Sequence, residues 1–244
     1  MTEAKLSRTW GIVGLGWLGA ALAEHLRALG IAVWGTHRDT FSLGRDPFPE
    51  RDCEVLFLNT PPITSLPPSE FVAQIVLRDK TKLIFVSSTS VFGQEQGSCT
   101  EVTLPCPTTA NGKWLGEVEE RLKIQFSDRL LILRPGGLIG GDRHPVFSLS
   151  RAGQAKGGDE PVHLIHRKDL IEIIVTAEHS FVGNLINVVT PFHPTKSQYY
   201  SDWAQRLNLP PIQFSPSASS RRKIASTVLP DLYPNWICPR LDFL

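Results

Sequence analysis

Three glycines near the start of the chain, Gly14, Gly16 and Gly19, form a G-x-G-x-x-G pattern. The pattern follows an apolar run at 10–13 and opens an amphipathic stretch at 18–29, which predicts a strand, a turn and a helix. In that context the first glycine allows a tight turn, the second lets backbone amides approach a pyrophosphate, and the third lets the helix pack closely on the strand. The pattern predicts a dinucleotide-binding loop, with a ligand-free glycine turn as the alternative. The loop consists of Gly14, Leu15, Gly16, Trp17, Leu18 and Gly19.

The end of the second predicted strand decides between NAD and NADP. An acidic residue about 20 positions after the glycines would bind the ribose hydroxyls of NAD. Here the sequence is Gly35-Thr36-His37-Arg38, and no acidic residue precedes Asp39. Arg38 offers a permanent charge and a planar fork of donors that suit a 2′-phosphate, with Thr36 and His37 beside it. We therefore expect NADP, with NAD the less favoured cofactor; the alternative is that Arg38 is an ordinary surface charge.

Further motifs have the order and spacing of a known family. They are NTPP at 59–62, VSSTSVFG at 86–93, LRPGGLIG at 133–140, IHRKDL at 165–170 and NVV at 187–189. Together with the glycine pattern they resemble, over nearly the whole chain, the extended short-chain dehydrogenase/reductases, the NAD(P)-dependent epimerase/dehydratase group. The nearest resemblance is to an atypical subgroup of nucleoside-diphosphate-sugar epimerase-like proteins with an altered active-site motif. The resemblance implies further cofactor contacts from Asn59, Thr60, Pro61, Ser87 and Ser88.

The resemblance also implies a catalytic pair that this sequence lacks. In the family, a Tyr-x-x-x-Lys pair on one helix face moves a proton while the nicotinamide moves a hydride, and a Ser or Thr orients the substrate. Thr89 matches the hydroxyl position, with Ser88 as its neighbour, but Asn111 and Leu115 stand where the Tyr and Lys belong. No Tyr-x-x-x-Lys occurs anywhere in the sequence. Thr89 and Asn111 are thus the implied substrate contacts, although an amide has no useful pKa for proton transfer.

Histidine supplies another titratable candidate. Asp142, Arg143 and His144 follow the Gly140-Gly141 turn, in a loop that lines the substrate site of the resembled family. Among them only His144 has an ordinary pKa near neutrality. We therefore name His144 as a candidate catalytic acid, with a plain loop histidine as the alternative.

His163, His166 and Asp169 are the group most like a metal site. On a strand, a three-residue offset places His163 and His166 on opposite faces, so we expect no metal. Asp169 falls near a predicted helix start, where a negative charge is favourable.

Strands and helices must position these residues, and apolar runs predict where they lie. The predicted strands are 10–13, 31–34, 55–58, 83–86, 130–133 and 185–189, and the predicted helices are 18–29, 69–77, 111–126, 168–177 and 198–207. This alternation favours a parallel sheet covered by helices on both faces. The expected fold class is α/β, a doubly wound Rossmann-type parallel sheet with a small C-terminal substrate lobe. We expect one NAD(P)-binding domain over 1–244, with a cofactor core at 8–134 and the remaining sheet elements and the lobe at 135–244.

Length, composition and charge fit this fold. Of the 244 residues, 41% are hydrophobic, which is enough to bury a core, and 20% are charged. The 25 basic and 24 acidic residues give a net charge of +1, which gives no reason to expect nucleic acid. The basic run at 221–223 either binds an anionic tail of the substrate or faces water, and we favour exposure to water. Four cysteines without a CxxC pair favour a reduced, cytoplasmic compartment.

The expected partner is a small-molecule substrate, with neither nucleic acid nor membrane. The apolar run at 10–23, preceded by basic residues, also has features of a signal peptide, but its glycine spacing and its continuation as a helix favour the first strand and helix of the fold. No other stretch reaches the roughly 18 apolar residues of a membrane span. The family resemblance implies a homodimer formed through the helices at 69–77 and 111–126.

Overall fold

The structure is a computed structural model that describes residues 8–180, 185–216 and 222–242. In chain order its strands are β1 (Thr9–Val13), β2 (Ala32–Thr36), β3 (Val55–Leu58), β4 (Lys82–Val86), β5 (Ser98–Cys99), β6 (Leu130–Pro135), β7 (Gly137–Ile139), β8 (Gln154–Lys156), β9 (Leu164–His166), β10 (Leu185–Val188), β11 (Gln213–Ser215) and β12 (Lys223–Ile224). Its helices are α1 (Trp17–Ala28), α2 (Pro68–Ala73), α3 (Ala110–Phe126), α4 (Pro145–Ala152), α5 (Arg167–Ser180), α6 (Lys196–Arg206) and α7 (Leu229–Leu232).

The main sheet has six strands in the order β10-β6-β4-β3-β1-β2. The neighbouring pairs β2 and β1, β1 and β3, β3 and β4, and β4 and β6 run parallel. The order of strands reverses between β1 and β3, which makes this a doubly wound sheet with its switch point at those two strands. The predicted fold class is confirmed. The six predicted strands are the six strands of this sheet, with bounds within two residues of those predicted.

Burial explains why these segments form strands and helices. Every residue of β3 and β6 is buried, as expected for central strands covered on both faces. Helix α1 buries a stripe that includes Leu18, Leu22 and Leu26, and the run at 10–23 forms β1 and the first part of α1. Helix α2 ends at Ala73, four residues before the predicted end. None of the helices in the described part of the chain is long and apolar enough to span a bilayer.

The chain divides into two compact units. Unit 1 comprises the described residues of 1–88, 109–134 and 177–186, and unit 2 comprises those of 89–108, 135–176 and 187–244. Unit 1 contains β1 to β4, α1, α2 and α3. The expected division into segments 8–134 and 135–244 stays a prediction.

Unit 2 is built from short elements. Its strands form the parallel pairs β7 with β9, β8 with β11, and β5 with β12. Helix α4 has no predicted counterpart; it starts after His144 with Pro145 at its first position and ends at Gly153, whose φ is +70°. Helix α6 begins with a capping box formed by Thr195 and Gln198. An apolar cluster containing Tyr199, Tyr200 and Trp203 fills this unit.

Candidate functional site

The glycine loop connects β1 to α1 at the switch point of the sheet. Gly14 has a φ of +106°, and a Cβ there would overlap the carbonyl oxygen of Asn59. A Cβ on Gly19 would overlap the carbonyl oxygen of Gly14, so helix and strand pack as closely as predicted. At Gly16, where α1 begins, no described atom lies within 4 Å of the Cβ position. The loop therefore has the tight turn and the open helix N-terminus that a pyrophosphate needs.

Neighbouring side chains hold the loop in place. The Gly14 N–H donates to Thr36 Oγ1 at 3.3 Å, and the Leu15 N–H donates to the Thr36 carbonyl at 2.8 Å. Asn59 Nδ2 donates to the Gly14 carbonyl at 3.3 Å. The Thr60 hydroxyl is buried and has no hydrogen-bond partner among the described residues. Since buried hydroxyls normally have partners, Thr60 fits a position completed by a bound ligand.

Arg38 lies on the surface at the end of β2. Its side chain is 97% exposed, and Nε is 3.9 Å from the carboxylate of Asp39. The remaining predicted cofactor residues differ in exposure: His37 and Pro61 are exposed, Trp17 and Ser88 are partly buried, and Leu18 is buried. Whether they bind the cofactor stays a prediction.

Ser87 belongs to a buried polar network at the end of β4. Its hydroxyl donates to Glu119 Oε1 at 2.5 Å, and Arg134 donates through Nε at 3.0 Å and through Nη2 at 2.5 Å to the same carboxylate. Glu119 and Arg134 are 0% and 1% exposed. The Ser87 hydroxyl is therefore engaged within the fold. Sequence reasoning did not identify this pairing; its signal is a charged residue, Arg134, at the end of an apolar strand.

Two of the predicted catalytic residues have very different environments. Asn111 is exposed in the first turn of α3, and Leu115, one turn later, is 3% exposed. No cation replaces the missing Lys at that position. Thr89 is buried in unit 2 and begins a single 3₁₀ turn.

His144 has a defined structural role. Its Nδ1 accepts from the Val146 N–H at 3.2 Å and caps α4, so the proton lies on Nε2, 3.0 Å from the Tyr199 oxygen. The Tyr199 hydroxyl in turn donates to the carbonyl of Leu241 at 3.1 Å. Burial lowers the pKa of His144 to about 4, which keeps it neutral at pH 7. Both ring nitrogens are engaged, and its role as a catalytic acid stays a prediction.

A polar cavity of about 180 Å³ lies within unit 2. Its lining includes Thr89, Gln94, His163, Lys196, Tyr200 and Arg222. The expectation that the basic run faces water is wrong for Arg222, which lines this cavity and donates from Nη1 to the Phe92 carbonyl at 2.8 Å. Arg221 falls outside the described residues. The local charge pattern at 221–223 could not reveal the contact of Arg222 with Phe92, because the two residues are distant in sequence.

A buried cluster near the C-terminus contains the kinds of side chain that bind metals. Ligand atoms of His166, Asp169 and Cys238 lie within 4.8 Å of one another. However, the Asp169 carboxylate accepts from the Tyr233 hydroxyl at 3.1 Å and from the N–H groups of Ile237 and Cys238 at 2.7 and 3.0 Å. Burial, reinforced by the charge of Asp169, raises the pKa of the Cys238 thiol to about 11. These contacts attach the C-terminal segment to the start of α5.

Similar proteins carry this fold over nearly their whole length. A functionally unknown conserved protein from Silicibacter pomeroyi DSS matches with a TM-score of 0.77 and 18% identity, over 94% of this chain and 95% of that one. A dTDP-4-dehydrorhamnose reductase from Clostridium acetobutylicum matches with a TM-score of 0.76 and 15% identity, over 94% of each chain. MoeE5 in complex with UDP-glucose and NAD matches with a TM-score of 0.69 and 16% identity, over 92% of each chain.

No protein-family model matches the chain. A curated relative, Protein YeeZ of Escherichia coli (strain K12), is 34% identical in an alignment 241 positions long, which covers 86% of this chain and 87% of that protein. This identity and coverage are enough to establish kinship, and the resemblance seen in the sequence agrees with the shared fold. The chain belongs to the family of Protein YeeZ, and its Rossmann-type fold is similar to that of a dTDP-4-dehydrorhamnose reductase and of a UDP-N-acetylglucosamine 4-epimerase.

Proposed function

We propose that this protein is an NADP-dependent oxidoreductase or epimerase-like enzyme that acts on a small polar or nucleotide-sugar-like substrate. The observation that carries the proposal is the glycine loop of unit 1. There Gly14 fits against the Asn59 carbonyl, and the N-terminus of α1 is open at Gly16. Backbone N–H groups at such a terminus bind phosphate oxygens. The likeness of the fold to that of MoeE5, solved with NAD, supports the same cofactor class.

Arg38 supports the preference for NADP. Its guanidinium is exposed, and its Nε lies 3.9 Å from the carboxylate of Asp39. A 2′-phosphate can therefore bind Arg38 without breaking a buried interaction, and the planar fork of donors suits its oxygens. Thr36 is occupied in supporting the loop, which leaves Arg38 and His37 to contact the phosphate.

Bound NADP would supply the hydride acceptor or donor. The chain's own contribution is to hold and orient. Backbone amides of the glycine loop would hold the pyrophosphate, and the Thr89 hydroxyl and the Asn111 amide would hydrogen-bond a carbonyl or hydroxyl of the substrate. Neither group has a pKa suited to proton transfer, so the proposal assigns them positioning roles.

Titration of the full-length protein with NADPH and NADH tests the cofactor proposal. Energy transfer from tryptophan to the nicotinamide reports binding, because Trp17 lies in the loop. We expect saturable binding at micromolar or tighter, about 8 kcal/mol, with NADPH preferred. Gly14→Ala should abolish it, whereas Gly116→Ala is the matched control because no described atom lies within 4 Å of its Cβ position. Absence of binding to both nucleotides would contradict the proposal.

A second candidate is a cofactor-binding sensor or scaffold without hydride chemistry. The pair Asn111 and Leu115 favours it, because neither the phenol nor the ammonium group of the family is present. Incubation with NADPH deuterated at C4 and a panel of carbonyl compounds separates the two functions. Stereospecific deuterium transfer establishes the enzyme. If Thr89→Ala and Asn111→Ala leave that turnover unchanged, their positioning roles are wrong.

A further inference from the structure

The cavity of unit 2 has a charge arrangement that the cofactor does not explain. Lys196 and Arg222 line it together with a single acidic side chain, Glu160. Lys196 Nζ lies 2.5 Å from Glu160 Oε2, so these two charges neutralise each other. Glu160 also attracts Arg222, but two cations and one carboxylate leave the lining with an excess of one positive charge.

Arg222 has unused donor capacity inside the protein. Its Nη1 donates to the Phe92 carbonyl at 2.8 Å, but its Nε is buried and has no hydrogen-bond partner among the described residues. Burial lowers the pKa of the guanidinium, which nevertheless stays charged at neutral pH. A partly buried cation without a full set of partners costs free energy, and an anion beside it would offset that cost.

His163 adds a neutral donor to the same lining. Its Nε2 accepts from the Ile224 N–H at 3.0 Å, which leaves the proton on Nδ1. Burial, together with His193 and the charges of Arg222, Lys196 and Lys223, lowers its pKa to about 3. The ring is thus held neutral, mainly by its burial, and its Nδ1–H can donate to a ligand in the cavity.

We propose that this cavity binds an oxyanion, a phosphoryl or carboxylate group at one end of a small molecule, with Arg222 as the charged anchor and His163 as a neutral donor. The identification of that molecule as the substrate rests on the proposed function. Thr89, the hydroxyl assigned to the substrate, lines the same cavity. Binding of the anion itself depends only on residues of unit 2.

The size of the cavity narrows the substrate class. At about 180 Å³ it is smaller than the roughly 300–1,000 Å³ of pockets that enclose drug-sized ligands. A nucleoside diphosphate would have to extend past Gly137, which also lines a second, more open cavity of about 490 Å³. The first cavity fits a phosphate ester or carboxylate of a few carbons. Of the two substrate classes in the proposed function, the small polar molecule is the one we infer.

The test is a calorimetric titration of the full-length protein with inorganic phosphate, acetate and UDP at constant ionic strength. We expect saturable binding of phosphate or of acetate, and the stronger of the two identifies the phosphoryl or the carboxylate group. UDP should bind no more than tenfold more tightly than the preferred anion. If UDP binds a hundredfold more tightly and depends on Arg222, the small-molecule inference is overturned.

Substitutions test whether the anion binds in this cavity or at another cationic surface. Arg222→Gln should weaken binding of the preferred anion at least tenfold, and Arg222→Lys, which keeps the charge without the fork, should weaken it less. Arg206→Gln is the matched control, because Arg206 pairs with Asp202 on the surface of α6. Equal binding by wild type and Arg222→Gln, or an equal loss in Arg206→Gln, would overturn the site.

The same variants distinguish failure of this site from failure of the proposed function. Arg222→Gln should keep the NADPH affinity of the wild type, which also shows that it folds, and Gly14→Ala should keep the anion affinity. Anion binding that depends on Arg222 in a protein that binds no dinucleotide would support the site and contradict the enzyme. NADPH binding without Arg222-dependent anion binding would contradict the anion site and support the proposed function.

Discussion

Different kinds of interaction stabilise unit 1 and unit 2 internally. Unit 1 is built on strands of four or five residues such as β3, where each residue is apolar and buried, and it has a buried polar network of Ser87, Glu119 and Arg134 at one strand end. Unit 2 has strands of two or three residues and relies on buried polar groups, with Asp169 at 0% exposure receiving three donors and His144 capping a helix. Repetitive apolar burial tolerates many substitutions, whereas single polar contacts are specific to their partners.

The largest expected effect is at the ion pair of Glu119 with Arg134 in unit 1, where both side chains are buried. Glu119→Ala removes the buried carboxylate that pairs with the buried guanidinium of Arg134, and we expect a loss of about 3–5 kcal/mol in the free energy of unfolding. Urea denaturation measures it. Glu117→Ala is the matched control: it removes an exposed pair with Arg121 on the same helix and should cost no more than about 0.5 kcal/mol. Similar losses in both variants would show that the burial of Glu119 does not matter.

Asp169→Asn tests the corresponding polar anchor of unit 2. The amide cannot accept all three hydrogen bonds, because Ile237 and Cys238 donate to different oxygens of Asp169 and the NH₂ group would face one of these two N–H donors. We expect a loss of about 2 kcal/mol, by the same urea measurement. Asp202→Asn, at the exposed pair with Arg206, provides the control and should change stability little. If Asp169→Asn lowers the free energy of unfolding no more than Asp202→Asn does, buried polar contacts are not what distinguishes unit 2 from unit 1.

The buried histidines of unit 2 predict a dependence of stability on pH. The folded pKa values of His144 and His163, about 4 and about 3, lie below the unfolded value of about 6.5. The unfolded chain therefore binds more protons below pH 6.5, and stability should fall as the pH is lowered from about 6.5 toward 4, with no contribution from these groups above that range.

Urea denaturation between pH 5 and 7 measures this slope. His144→Asn keeps a good capping residue but removes one titrating group, so it should reduce the slope by up to one proton whatever its effect on absolute stability. An unchanged slope would mean that His144 is not held neutral by the fold.

The smallest expected effects are the changes in the free energy of unfolding when two glycines, Gly116 and Gly153, are replaced by alanine. Gly116 lies within α3 of unit 1 with open space around it, and Gly116→Ala should stabilise the protein by about 0.5–1 kcal/mol. Gly153 ends α4 of unit 2 with a φ of +70°, so Gly153→Ala should destabilise it by about 1 kcal/mol. Changes of the same sign in both would show that the local backbone does not control the outcome.

The sequence predicted unit 1 better than unit 2 for a physical reason. A strand such as β3 is recognisable because every residue in it is apolar, and the glycine loop is recognisable because its function depends on residues adjacent in sequence. Helix α4 has few buried apolar residues, and its only signals were Pro145 and Gly153 at its ends. The cavity of unit 2 could not be predicted because Arg222 owes its position to a carbonyl, that of Phe92, far away along the chain.

The interleaving of the two units sets the order in which the chain can finish folding on the ribosome. Unit 1 includes residues 177–186, where the Glu178 carboxylate pairs with Arg8 and with Lys82. Its N-terminal strands emerge early but cannot gain these partners until nearly three quarters of the protein has been synthesised. An N-terminal domain ordinarily folds while the rest is still being made. Here both units include late segments, so we expect the edge of β6 that pairs with β10 to stay unpaired until residues 185–188 have been synthesised.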